Sequence, residues 1–127
     1  MDKKRFFYYQ FPAILYALLI FAVSNISNLS ITKLLKWQDK VLHFLEYGLF
    51  AFFLLRALAN SVTRFWKKNS YRLTLALGVL YALSDELHQN FVLGRTVEFY
   101  DFLADVSGVV FALVCIKIYW MKKKPKI

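Results

Sequence analysis

The sequence predicts an all-α, polytopic membrane protein, a four-helix transmembrane bundle with both termini cytoplasmic. Three observations predict it. The 127 residues are 59% hydrophobic and 19% aromatic, with a mean hydropathy of +0.44, more apolar than a soluble domain of this length. Four apolar runs, each near the ~20 residues a spanning helix needs, alternate with short polar or basic stretches. The formal net charge of +9 sits on lysines and arginines that flank these runs instead of lining one face. That placement points to a membrane surface and excludes nucleic acid as a partner. Residues 1–127 are expected to form a single transmembrane domain with no second unit.

The first helix is expected at about residues 7–24, free of charge, with Pro12 in its first turns and Tyr8, Tyr9 and Tyr16 as an aromatic start. Its apolar run is too long for a signal peptide and lacks a small-residue cleavage pattern, so it is expected to remain as a helix. Residues 25–37 interleave Ile31, Leu34, Leu35 and Trp37 with Lys33 and Lys36, the pattern of a short interfacial helix. The second helix, about 39–59, opens with Asp39, His43 and Glu46 on one face and ends near Arg56. A basic connection with Phe65, Trp66 and Tyr71 as anchors leads to the third helix, about 73–91. There Tyr81, Asp85, His88 and Gln89 share a face, and Glu86 projects roughly 100° from Asp85. Gly94-Arg95-Thr96 signals a turn, and the fourth helix, about 101–120, carries Asp101, Asp105, Gly108 and Ala112 on one face. Gly108-x-x-x-Ala112 is a small-residue pair suited to close helix approach. The single cysteine, Cys115, lies in this last apolar run and reads as a packing residue.

Charge sets the orientation. The basic residues of both termini and of the connection between the second and third helices face only Asp2, and the positive-inside rule makes that side cytoplasmic. The other acids, and both histidines, fall toward the opposite side. Counting ~1.5 Å per residue puts Asp85 roughly 18 Å above Leu73, in the outer third of the bilayer. Carboxylates there cost on the order of 2.5–3.5 kcal/mol each and normally face a partner or a wet cavity. One outward-facing polar pocket is therefore expected, with His43, Glu46, Asp85, Glu86 and His88 as catalytic candidates. Asp39, Tyr81, Gln89, Arg95, Asp101 and Asp105 are its binding candidates.

The run Asp39-Lys40-Val41-Leu42-His43-Phe44-Leu45-Glu46-Tyr47, then Ser84-Asp85-Glu86-Leu87-His88-Gln89, Gly94-Arg95, Asp101 and Asp105-Val106-Ser107-Gly108 resemble the motifs of the VanZ-like family of small bacterial membrane proteins. The resemblance covers about residues 39–108. It departs at Leu93, where many members have proline, and at Asp105, where many have asparagine. What it implies is a place in the bacterial cell envelope and, by way of the founding member, low-level resistance to the glycopeptide teicoplanin. It implies no agreed catalytic mechanism.

The residues themselves support an envelope-lipid role, in which the pocket binds or processes an anionic lipid or a lipid-linked wall precursor. Arg95 would hold a phosphate, and His43 or His88 would act as acid or base. No cofactor is expected in this reading. In a metal-dependent alternative, His43, Glu46, Asp85 and His88 supply the ligands from two helices. In a third reading the Asp, Glu and His groups relay protons. In a fourth they only hold the helices together, with Asp39 and Asp101 as helix caps and Arg95 paired to Glu98 or Asp101.

Overall fold

The computed structural model describes residues 3–26, 36–94 and 98–123. Among them there is no strand. The described residues form four long helices and one short one: α1 (Lys3–Ser24), α2 (Lys36–Ala59), α3 (Arg64–Lys68), α4 (Ser70–Gln89) and α5 (Phe99–Lys123). The interfacial helix expected at 25–37 falls mostly outside the described residues.

Local chemistry sets the helix ends. In α1, Phe6–Gln10 forms a wide π-helical turn, and the Phe11 N–H donates back to the Phe6 carbonyl. Pro12 follows at once. It has no N–H and its ring presses on the carbonyl one turn earlier, and a wide turn is where a helix absorbs that defect. Helix α4 starts earlier than hydropathy alone suggests because the Asn69 carbonyl accepts from Leu73 N–H at 2.9 Å, enclosing polar Ser70 and Tyr71-Arg72 in the first turn. It closes after Gln89 with tightened bonds, Phe91 N–H to His88 O at 2.9 Å and Val92 N–H to Gln89 O at 3.1 Å. Gly94 then turns the chain at φ 82°, a backbone angle that costs glycine nothing.

Three helices, α1, Trp37–Ala59 within α2, and α5, are long and apolar enough to cross a membrane. Helix α4 matches them in length, but its sequence is broken by Asp85, Glu86 and His88. Its faces are inverted relative to a soluble helix. Ser70, Thr74, Gly78, Ala82, Asp85, Glu86 and Gln89 point inward, and leucines point out, so that Leu80 is 61% exposed and Glu86 4%. A surface this apolar around a polar interior suits hydrocarbon as solvent, where helix contacts are made by small and hydrogen-bonding residues.

Helices α2 and α5 make the closest pairing. At their crossing a Cβ placed on Gly108 would overlap the Phe44 carbonyl oxygen and lie 3.0 Å from Gly48 N, so only glycine permits the approach. Gly48, on the facing helix, supplies one of the backbone atoms that Gly108 packs against, whereas Ala112 packs at the edge of the core. Ile20, Tyr47, Phe50, Ala51, Leu55, Ala82, Val109 and Leu113 form that core. At the end away from the acids, Arg5 donates to the Asn60 carbonyl at 2.9 Å, and the Arg56 guanidinium lies 4.4 Å from the Tyr8 ring centre.

Candidate functional site

Acidic side chains, both histidines and Lys40 collect where the C-terminal ends of α1 and α4 meet the N-terminal ends of α2 and α5, and they form two groups with different bonding. The first consists of ties between helices. Ser24 on α1 donates to Asp85 Oδ1 at 2.5 Å, and Gln89 Nε2, one turn along α4, braces the same carboxylate by donating to Oδ2 at 3.4 Å. Tyr81 donates to the Ala17 carbonyl at 2.6 Å. His88 is half-buried, its Nε2 2.9 Å from Asn25 Oδ1 and its ring 4.8 Å from that of Phe21. Lys40 joins α2 to the start of α5, pairing with Asp101 and, at 2.8 Å, with Glu98.

The second group is not closed in this way. His43 Nδ1 lies 2.9 Å from Asp105 Oδ1, and its other nitrogen, Nε2, is 3.9 Å from Asp39. Glu86 comes in from α4. Both of its carboxylate oxygens are buried without a hydrogen-bond partner among the described residues, as are Asp105 Oδ2 and the Tyr47 hydroxyl. Asp105 and Tyr47 are each 0% exposed. Ligand-type atoms of His43, Glu86 and Asp105 fall within 4.8 Å of one another, and those of Asp39, His43 and Asp101 form a second, partly exposed trio sharing the same imidazole.

The two adjacent acids of α4 thus turn to different neighbours, as their 100° offset on a helix requires. Asp85 meets α1, and Glu86 meets α2 and α5. The four-ligand set His43, Glu46, Asp85 and His88 suggested by helical spacing is not brought together. His88 is turned to Asn25 and Asp85 to Ser24, while Glu46, half-buried along α2, belongs to neither trio. Asp39 and Asp101 lie inside the first turns of their helices, where a carboxylate complements the helix dipole, so neither is the cap. Arg95 lies outside the described residues. Sequence reasoning passed over Ser24, Asn25 and Lys40 as site residues. Ser24 closes an apolar helix and Lys40 sits beside Asp39, and only packing assigns them partners.

A groove of about 360 Å³ runs between α2 and α4, lined by Phe50, Leu54, Leu77, Leu80, Tyr81 and Ser84. It is apolar and does not reach the buried carboxylates. The family model described as VanZ/LLP1 matches residues 4–120, which includes α1 and nearly all of α5 as well as the motif-bearing middle. No curated protein and no solved structure matches the chain.

Proposed function

The chain belongs to the VanZ/LLP1 family, and on that premise we propose a multi-pass protein of the bacterial cytoplasmic membrane that binds or processes an anionic lipid or lipid-linked wall precursor, affecting teicoplanin susceptibility. Four helices cross, with both termini cytoplasmic and the polar end toward the outer face. At ~1.5 Å per residue the 20 residues of α4 reach ~30 Å, the thickness of the hydrocarbon core.

The observation that carries the reading is Glu86. A carboxylate buried with both oxygens unpartnered among the described residues ties no two helices by a hydrogen bond, and an unsatisfied buried polar group costs about 1–3 kcal/mol, more when charged. Such a group is retained when it has a ligand to meet. His43, positioned by Asp105, has the arrangement of an acid–base group with an orienting carboxylate. Asp85, Gln89, Tyr81 and Asp101 serve as the ties that fix this geometry. An acyl chain suits the apolar groove beside Tyr81 and Ser84, and Arg95 and Lys40 supply positive charge for a phosphate.

Mass spectrometry of lipid co-purified with the wild-type protein and with Glu86→Gln tests this. An anionic or isoprenoid-linked species retained by the wild type and depleted at least tenfold in the variant, with a parallel change in teicoplanin susceptibility, is expected. Equal bulk-membrane lipid in both would overturn it.

A further inference from the structure

We propose that His43, Glu86 and Asp105 form a binding site for one divalent transition-metal ion, zinc or manganese. The proposal rests on the reading of these three residues as the working site, and it identifies what that site holds first.

The three side chains come from three helices and offer one imidazole nitrogen and two carboxylate oxygens, a hard-to-borderline donor set suited to zinc, manganese or ferrous iron. Their ligand atoms lie within 4.8 Å of one another. Around zinc at about 2.0–2.2 Å from each ligand, tetrahedral neighbours are roughly 3.4 Å apart, so side-chain rotations of about an ångström gather them. The oxygens of Glu86 and Oδ2 of Asp105, without a hydrogen-bond partner among the described residues, are the independent sign that a further group completes the cluster. His43 would bind through Nδ1, exchanging its 2.9 Å contact with Asp105 for the ion and serving as a ligand in place of an acid–base group. Asp39, 3.9 Å from Nε2, is a small shift from the hydrogen bond by which a carboxylate orients a metal-bound imidazole.

Charge favours the same answer. Two carboxylates buried in an apolar surround are costly alone, and a divalent cation between them brings the local sum to zero. Three protein ligands also leave a coordination position open, as in metal sites that bind a substrate oxygen. A bridging cation, together with the positive charge of Arg95 and Lys40, lets the phosphate of an anionic lipid approach a carboxylate cluster. The metal thereby reconciles an acid-rich site with an anionic ligand.

The test is metal binding by the full-length protein in detergent, treated with chelator and titrated with zinc or manganese while mass spectrometry reads metal content. One ion per chain is expected, with Glu86→Gln and Asp105→Asn each weakening it at least tenfold and His88→Ala leaving it unchanged. Saturable zinc binding should also raise the melting temperature of the wild type. Failure of the folded wild type to take up either metal overturns the proposal, whatever the variants do. Full binding in Glu86→Gln overturns the ligand assignment. Retained lipid without metal would reject the metal and leave the lipid reading standing, and metal without lipid would do the reverse.

Discussion

Replacing Gly108 by alanine puts a methyl group into the carbonyl of Phe44. The added Cβ would overlap that oxygen and lie 3.0 Å from both the Phe44 carbonyl carbon and Gly48 N, whereas ordinary carbon–oxygen contacts begin at about 3.3 Å. The obstacle is helix backbone, which cannot rotate aside, so α2 and α5 must part by about 1 Å. A gap of ~0.5–1 Å forfeits a quarter to a half of each dispersion contact it opens, and overpacking of a rigid core costs about 1–3 kcal/mol. Alanine returns up to about 1 kcal/mol in helix propensity. The expected net loss is about 2 kcal/mol, near the upper end of a 5–30-fold fall in the folded-to-unfolded ratio.

Two other glycines calibrate the effect. At Gly48 the new Cβ meets the Gly108 carbonyl at ordinary contact distance, its oxygen at 3.5 Å and its carbon at 3.9 Å, and at Gly78 it meets both Val109 methyls at 3.1 Å. The order of stability in a reversible detergent-denaturation series followed by circular dichroism should be Gly48→Ala, then Gly78→Ala, then Gly108→Ala as the least stable. Asp105 lies one turn before Gly108, so Gly108→Ala should also weaken metal and lipid retention. Equal stability of Gly108→Ala and Gly48→Ala would refute the close approach of α2 and α5.

Other substitutions probe the ties. Ser24→Ala removes the bond to Asp85 at 2.5 Å and should destabilise by about 0.5–2 kcal/mol, the range for hydrogen bonds between membrane helices, read from the same denaturation curves. Lys40→Met leaves Asp101 buried without its cation. The full penalty for breaking a buried pair is about 3–5 kcal/mol, and because Lys40 is partly exposed a loss of about 1–3 kcal/mol is expected. Pairing it with Asp101→Leu should recover most of that loss in a double-mutant cycle. Arg56→Ala takes the guanidinium from over the Tyr8 ring and should cost about 0.5–1 kcal/mol without altering metal uptake.

The helices are legible because apolar runs of spanning length declare themselves, and the candidate site because Asp85 and Glu86 stand side by side in an otherwise apolar stretch. Helical spacing also separated the two carboxylates onto different faces. It could not name their partners. Ser24 and Asp85 are 61 residues apart, and so are Lys40 and Asp101, and a pairing between helices depends on rotation and register that no single helix encodes. The same limit made His43, Glu46, Asp85 and His88 look like one ligand set. Each pair shares a face of its own helix, but the helices turn so that His43 meets Glu86 and Asp105. The Gly108-x-x-x-Ala112 spacing lies within α5, while the contact is made across helices with Phe44 and Gly48. Helix α4 was read as a fourth span from length and its leucines, and its acids are what set it apart from the three more apolar helices.

The unfolding free energy of metal-free Glu86→Gln relative to the metal-free wild type tests the central claim most directly, because a tie and a ligand-binding group respond oppositely. If the buried carboxylate, without a hydrogen-bond partner among the described residues, is held for a ligand at a cost to the fold, neutralising it should leave stability unchanged or raise it by about 1–3 kcal/mol. A loss of 2 kcal/mol or more, comparable to that expected for breaking the Lys40 tie, would show that Glu86 holds the helices together and would contradict the account.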